Sequence, residues 1–469
     1  MSAKNVTLAS KAVCAREGMT KGLKITLVAA GVLAAASYAS GITPTYVANA
    51  PAMGTGLAAM LACSARYVSG IEPEQNKQDL ITYSPVLEPI EIIYDDAAMR
   101  VEADFLGIHT TAAQHREGLG CALEIGDTSP LDAAKIPNDA KPPKALWPLG
   151  GMVEAPIVSV QEKLEEILME DNAAGLQTRA LLAVKGGRIV GEVYAEGFDA
   201  SSKLIGWSMS KSFNAIMLGN MEMRGVIDPA KKPLFEAWED DERADISVDD
   251  MLHMASGLDL SEVYAPGTAV TNMLFTAHSS TEVGLSVGMA NRPGTRYDYS
   301  SGTSNLLSRL VFDAAGGTID KSLKNLHEYF VRPMGLTDFV LETDPSGLFL
   351  GSSFMMASAR DWARMGQLML NKGELNGHRI VSEGWVVRAL TPNHTENKKA
   401  YGYQFWLNRG DKTPRWPDLP TDAYAALGSR EQVTMSIPSK DMVIVRLGWA
   451  MDGTYPVSKN FAEIIAVAR

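Results

Sequence analysis

The sequence predicts an α+β protein. In its C-terminal two-thirds, both ends supply strands to one antiparallel sheet, helices flank that sheet, and a mainly helical insert sits to one side. Two hairpins and their helices carry this expectation. "ALLAVKGGRIVGEVYAEG", Ala180 to Gly197, reads as two strands around the Gly186-Gly187 turn. "EQVTMSIPSKDMVIVRLGWA", Glu431 to Ala450, reads as a second hairpin turning at Pro438 to Asp441. A helix adjoins each hairpin on its outer side. "SVQEKLEEILMEDNAAG" places Val160, Leu164, Ile167 and Leu168 at helical spacing and stops near Gly175, and "SKNFAEIIAVAR" closes the chain. Between about 228 and 400 the pattern is mostly helix and loop.

A chain of 469 residues exceeds one average domain. Apolar residues at 46% and charged residues at 21% allow a large core that requires no staple. The net charge of −12, with no long basic run, argues against a nucleic-acid partner. The three cysteines, Cys14, Cys63 and Cys121, form no CxxC or Cys/His cluster, so no metal or other cofactor is expected.

At the N-terminus, Lys21 and Lys24 precede the apolar run Ile25 to Gly41. Its length of about 12 to 15 residues suits a signal peptide better than a membrane span, with Ser37-Tyr38-Ala39 as a cleavage site. An uncleaved anchor and a buried helix are the alternatives. Residues 1–45 are therefore assigned as signal peptide or anchor, and the rest as exported: periplasmic, or tethered to the inner membrane by this segment alone. In an oxidising compartment Cys63 and Cys121 could pair, although two cysteines in a sequence do not reveal their distance in space.

Residues 46–145 read as an accessory region. "GTGLAAMLACSARYVSG", Gly54 to Gly70, suggests a short helix, and "LITYSPVLEPIEIIYDDAAMRVEADF", Leu80 to Phe105, has strand-like alternation. "PNDAKPPKALWPLGG", Pro137 to Gly151, looks like a linker. Residues 146–469 form the remaining domain.

The chemistry begins at "LIGWSMSKSFNAIMLGNMEMRG", Leu204 to Gly225, a helix closed by Gly225. Ser208 and Lys211 lie three apart, hence on one helix face. A serine is a weak nucleophile until a base takes its proton, and a lysine serves as that base only if burial or charge lowers its pKa. The neighbours Met209, Phe213, Ile216, Met217 and Leu218 offer dry surroundings. The N–H of Ser208, at a helix start, is free to bind an oxyanion. Against this stands an ordinary helix cap followed by a solvated lysine. About one Ser-x-x-Lys match is expected by chance in a chain of this length. "RPGTRYDYSSGTSNLLSRLV", Arg292 to Val311, adds a turn, then Tyr297 and Tyr299, and a helix from near Ser304. Tyr299 could face a cleft and relay protons, or be a half-buried aromatic.

"SMSKS" followed by "PGTRYDYSS" resembles the serine hydrolases of the class C β-lactamase and penicillin-binding fold. The branch it looks like holds family VIII esterases and 6-aminohexanoate-dimer hydrolase. "MLHMASGLDLSEVY" (Met251 to Tyr264), "GSSFMMASARDWARMGQLMLNKGEL" (Gly351 to Leu375) and "YGYQFWL" (Tyr401 to Leu407) strengthen the resemblance, which spans about 146 to 469. "LACSARYVSG" and "HREGLGCALEIG" resemble, less specifically, an extension found in some exported members. The resemblance implies a β-lactamase/transpeptidase-like fold, with Ser208 as acylated nucleophile, Lys211 as base and Tyr299 as proton shuttle. It also implies that Ser301, where many members carry asparagine, contacts substrate.

The third motif of such enzymes departs from pattern. In "ALGSREQ", Ala426 to Gln432, Leu427 stands in place of the usual lysine and Glu431 where a glycine is common. The Ser429 N–H remains a candidate second oxyanion donor, because a backbone donor does not depend on side chain. Arg430 either binds a carboxylate or points to solvent, and Tyr264 is a candidate pocket residue. Loss of the lysine argues against strong β-lactamase activity. No Gly-x-Ser-x-Gly elbow occurs, and the histidines are scattered, with His253 reading as structural. The expected activity is hydrolysis of a small-molecule ester or amide. A catalytically weak envelope-binding protein of the same fold, or a β-lactamase or DD-peptidase, are the alternatives. The sequence gives no oligomeric state.

Overall fold

The computed structural model describes residues 43–138 and 143–469. Residues 1–42 of the expected signal segment, with its cleavage site and Cys14, lie outside the described residues, while its last residues, Thr43 to Thr45, cap and open the first described helix.

The described residues open with helix α1 (Pro44–Cys63), whose first turn is capped by the Thr43 hydroxyl accepting from Tyr46 N. It runs well upstream of the short helix expected at Gly54. Helix α2 (Pro73–Tyr83) follows, then strands β1 (Glu91–Asp95), β2 (Arg100–Phe105), β3 (His109–Arg116) and β4 (Gly120–Leu123) in a sequential antiparallel sheet. Leu80 to Tyr83, read from the sequence as strand-like, is instead the last turn of α2. Proline at its first position favours a helix there, and tertiary contacts hold the helix end: Leu80 is buried and Asp79 meets Arg179.

Next come helix α3 (Val158–Ala173), strands β5 (Thr178–Lys185), β6 (Arg188–Tyr194) and β7 (Leu204–Ile205), and helices α4 (Met209–Met223), α5 (Ala269–Phe275) and α6 (Ser301–Ala315). Strands β8 (Phe339–Leu341) and β9 (Met355–Ala357) lead to helix α7 (Ala359–Leu370). Strands β10 (Trp406–Leu407), β11 (Tyr424–Gly428), β12 (Gln432–Ile437) and β13 (Met442–Gly448) precede the closing helix α8 (Val457–Val467). Both expected hairpins are present. Helix α6 starts three residues before Ser304, because the Ser300 hydroxyl accepts from Thr303 N and caps it there.

The main sheet has the order β10-β11-β12-β13-β5-β6, and the antiparallel pairing of β13 with β5, from Met442↔Lys185 onward, joins the two ends of this region. Its strands alternate between two cores, as a period of two requires. Leu181, Ala183 and Ile444 pack with Val160, Leu164 and Phe461 of α3 and α8. Leu182, Val184, Val443 and Val445 pack with Phe213 and Trp362 of α4 and α7. Helix α4 thereby packs against the sheet and against α6, which fixes what its first turn presents.

The accessory region shares a core with the rest of the chain. Leu57, Leu80 and Val101 cluster with Ile205, Trp207, Phe354 and Trp449. Gly56 lies so close to α5 that a Cβ there would stand 2.1 Å from the Phe275 carbonyl oxygen, so only glycine lets α1 approach. Cys63 and Cys121 are disulfide-bonded, Cα to Cα 6.0 Å, tying α1 to β4. The stretch expected as a linker is anchored at its far end. Trp147 is buried and its Nε1 donates to the Arg360 carbonyl, while Arg364 donates to the Pro148 and Gly150 carbonyls. Among the described residues no helix is long and apolar enough to cross a membrane.

Between the accessory sheet and β8 lies a buried carboxylate. Glu342 accepts from the Ser64 hydroxyl at 2.8 Å and Cys121 N at 2.8 Å, and burial pushes its pKa up to about 8. A carboxyl whose folded pKa is raised contributes stability below its unfolded value, and that contribution is lost as pH rises through the folded value. The melting temperature should therefore fall between pH 4.5 and about pH 8. Glu342→Gln should flatten that fall by on the order of a few degrees, read by thermal unfolding of both proteins across the range. Parallel curves would show that Glu342 does not titrate there.

Candidate active site

The segment entering α4 is unusual before any chemistry is considered. Gly206 lies against Trp362, and Trp207 adopts a left-handed backbone at φ 47°, a costly state for a bulky residue. Packing holds it there: the Trp207 ring stacks on Tyr83 at 5.2 Å and 12°, with Phe354 at 6.1 Å and Trp449 at 6.0 Å. The reversal sets Ser208 at the N-cap of α4, yet its hydroxyl makes no cap hydrogen bond. The hydroxyl instead meets Lys211.

Lys211 is 1% exposed, so the reading of a solvated lysine does not hold. Its Nζ lies 2.9 Å from Ser208 Oγ, 3.0 Å from Ser301 Oγ and 2.9 Å from the Ser352 carbonyl oxygen. Burial lowers its pKa to about 8, against an opposing pull from Glu262. The polarity of this cluster follows from what each group can do. The Ser352 carbonyl only accepts. Ser301 Oγ donates to Glu262 Oε1 at 2.6 Å, so it is free to accept from Lys211. A neutral lysine would spend both hydrogens on those two acceptors and turn its lone pair to the Ser208 hydroxyl.

Tyr299, just before α6, stacks on Trp406 at 5.6 Å and 29°, and the Lys211 nitrogen lies 4.9 Å from its ring centre. Burial pushes its pKa up, with Glu262 adding to the effect and a hydrogen bond with Ser208 opposing it, so the phenol is neutral at ordinary pH. The three residues drawn from the two sequence motifs therefore converge. Ser208 and Tyr299 line a cleft of about 650 Å³ whose walls also include Tyr264, Trp406, Arg415 and Ser429.

The remaining sequence candidates fall in different places. At the end of β11, a Cβ on Gly428 would stand 2.1 Å from the Gly206 carbonyl oxygen, so the Gly428–Ser429 backbone runs beside the entry to α4. Ser429 Oγ donates to Asp452 at 2.9 Å, and the two residues after it are both left-handed, at φ 62° and 60°. Leu427 lies in the cleft wall. Tyr264 reaches the cleft, its hydroxyl 3.1 Å from Glu262 Oε1 and 3.5 Å from Ser301 Oγ. Ser301 is fully buried at the start of α6, its hydroxyl held between Lys211 and Glu262 rather than facing the cleft. Arg430 does not point to solvent. It is 5% exposed, donates to the Thr82 carbonyl at 2.7 Å and lies 5.0 Å over the Tyr83 ring, because α2 of the accessory region covers it. His253 pairs with Asp249 at 3.2 Å, a structural contact.

Two residues escaped sequence reasoning. Glu262 accepts from Ser301 N and from the Ser301 and Tyr264 hydroxyls, and it is the carboxylate that acts on Lys211. Its one signal is a place in "DLSEVY", two residues before Tyr264. Arg415 lies 4.4 Å from the centre of the Trp406 ring, in a loop with no periodicity to read.

An antiparallel sheet with helices on both faces, and a buried Ser-x-x-Lys pair joined by a tyrosine, define a serine hydrolase of the β-lactamase/transpeptidase-like fold. Comparison with known proteins agrees. The sequence profile of the family described as Beta-lactamase matches residues 162–462, and the chain belongs to that family. It is 24% identical over 339 residues to a 6-aminohexanoate-dimer hydrolase of Paenarthrobacter ureafaciens, covering 69% of this chain and 83% of that protein. Among solved structures it is similar in fold to EstCE1, a hydrolase with promiscuous acyltransferase activity, at a TM-score of 0.55 and 13% identity over 66% of this chain and 98% of the other. A class C β-lactamase matches at a TM-score of 0.52 and 12% identity, over 68% and 99%.

The electrostatics predict a pH response. The rate at which a small fluorophosphonate labels Ser208 should rise with pH and level off above about 8, as Lys211 loses its proton. Glu262→Gln removes the charge that holds that proton, so the rise should move to lower pH, with the plateau reduced by up to about tenfold through lost positioning. An unmoved profile would detach Glu262 from Lys211.

Proposed function

We propose that this chain is an exported serine hydrolase that cleaves an ester or amide bond through an acyl-enzyme on Ser208. The observation that carries the reading is the buried Lys211 nitrogen, 2.9 Å from Ser208 Oγ with its other two partners set to accept. Lys211 takes the hydroxyl proton as Ser208 Oγ attacks the substrate carbonyl. The N–H groups of Ser208 and Ser429 receive the oxyanion, and the neutral Tyr299 passes a proton to the departing alcohol or amine. Water then attacks the acyl-enzyme, returning Ser208 and releasing the acid. Likeness to a 6-aminohexanoate-dimer hydrolase and to EstCE1 supports the linear amidase and esterase types. Leu427, in place of a strand lysine, supports neutral esters over lactams, because a substrate carboxylate would find no cation on that strand. The Cys63–Cys121 disulfide supports export, since such bonds persist in oxidising compartments.

The purified protein should hydrolyse p-nitrophenyl butyrate with a kcat/KM at least about tenfold above that for nitrocefin. Ser208→Ala should lose on the order of a thousandfold or more in activity, and all fluorophosphonate labelling by mass spectrometry, while its melting temperature holds. Faster nitrocefin turnover would make the protein a β-lactamase. Absence of any adduct on the parent protein would leave a binding protein of this fold.

A further inference from the structure

The family match begins at residue 162, so α1 and α2 lie outside it. Both nevertheless reach the cleft that holds Ser208. Met53 and Leu57, one turn apart on α1, and Tyr83, the last residue of α2, form part of its wall together with Trp207, Leu274 and Phe275. These six side chains also belong to one apolar cluster. The wall is rigid by construction. Gly56 seats α1 directly on the Phe275 backbone, the disulfide holds the far end of α1, and Tyr83 stacks on Trp207 beside the nucleophile. The charged residues of the cleft are Glu262 in the Lys211 cluster and Arg415, Arg430, Glu431 and Asp452 elsewhere on the wall. A substrate with its carbonyl at Ser208 therefore has an apolar surface within reach, and the accessory region builds half of it.

We propose that the accessory region supplies a substrate subsite: Met53, Leu57 and Tyr83, with Trp207, Leu274 and Phe275, receive an alkyl or aryl arm of the ester or amide and set its length. This rests on the hydrolase reading above. Each methylene buried against such a wall is worth about fourfold in kcat/KM, until the wall is filled. Met53 is the residue to vary, because it is half-buried at the cleft edge and a change there leaves the core of α1 intact.

The test measures kcat/KM of the whole protein on p-nitrophenyl acetate, butyrate, octanoate and laurate and on matching p-nitroanilides, with circular dichroism as a check of folding. Met53→Trp should shift the optimum to shorter chains, lowering the octanoate-to-acetate ratio by about tenfold. Met53→Ala should shift it to longer chains. The alanine variant introduces no clash, so it tests the proposal even if the tryptophan variant fails to fold. An active parent whose length profile is unchanged in a folded variant overturns the subsite and leaves the hydrolase reading standing. A parent that turns over none of the esters or anilides overturns both.

Discussion

A lysine kept out of water is the constraint around which this protein is built. An ammonium group loses several kcal/mol on burial unless its hydrogens are met, and the least costly remedy is to lose a proton. Lys211 has both remedies. Its pKa falls to about 8, and three acceptors from three separate places surround it. Ser208 comes from its own helix, Ser301 from the first turn of α6, and the Ser352 carbonyl from the turn before β9. None of these segments is adjacent in sequence, so the fold must bring them together. The packing of α4 against α6 and against the sheet does so. Glu262 then bonds both the backbone and the side chain of Ser301, which turns the Ser301 hydroxyl hydrogen away from Lys211 and leaves its oxygen to accept.

The same economy explains the aromatic residues. A left-handed tryptophan before Ser208 would relax if its ring were free. Tyr83, Phe354 and Trp449 leave it no room, and one of the three comes from the accessory region. On the opposite wall Tyr299 is held by Trp406 and Tyr401. Ser208 and Tyr299 are thus positioned by ring contacts with few rotatable bonds, and the polar contacts go to the Lys211 cluster.

The large elements were legible in the sequence because their signals are local. The Gly186-Gly187 turn and the Pro438–Asp441 turn each sit between apolar runs, and both hairpins formed as read. Ser208, Lys211 and Tyr299 were legible through spacing and neighbouring motifs. What escaped depends on tertiary partners. Glu262 is one carboxylate among many until Ser301 and Tyr264 fold over it. Arg430 was open between a carboxylate partner and solvent, because nothing in "SREQ" tells that α2 will cover it. The last turn of α2 alternates like a strand, and the proline that opens the helix together with the contacts of Asp79 with Arg179 and Trp449 favours the helix. Ser301 sits where substrate contact was expected, yet its hydroxyl is drawn inward by Lys211 and Glu262.

The altered third motif and the accessory wall bear on one another. With a strand lysine, a cleft of this kind offers a fixed cation and favours substrates that carry a carboxylate. Here Leu427 removes that cation, and Arg430 is turned toward Thr82 and Tyr83 of the accessory region. The accessory helices thus act on the cleft twice: they draw an arginine to themselves, and they present Met53, Leu57 and Tyr83 in exchange. On the proposed reading, a neutral, apolar substrate gains from both changes. The other arginine of the cleft wall, Arg415, has its guanidinium over the Trp406 ring. On the proposed reading, selectivity in this protein is set by the accessory region and the loops, and it can change without disturbing the lysine cluster beneath.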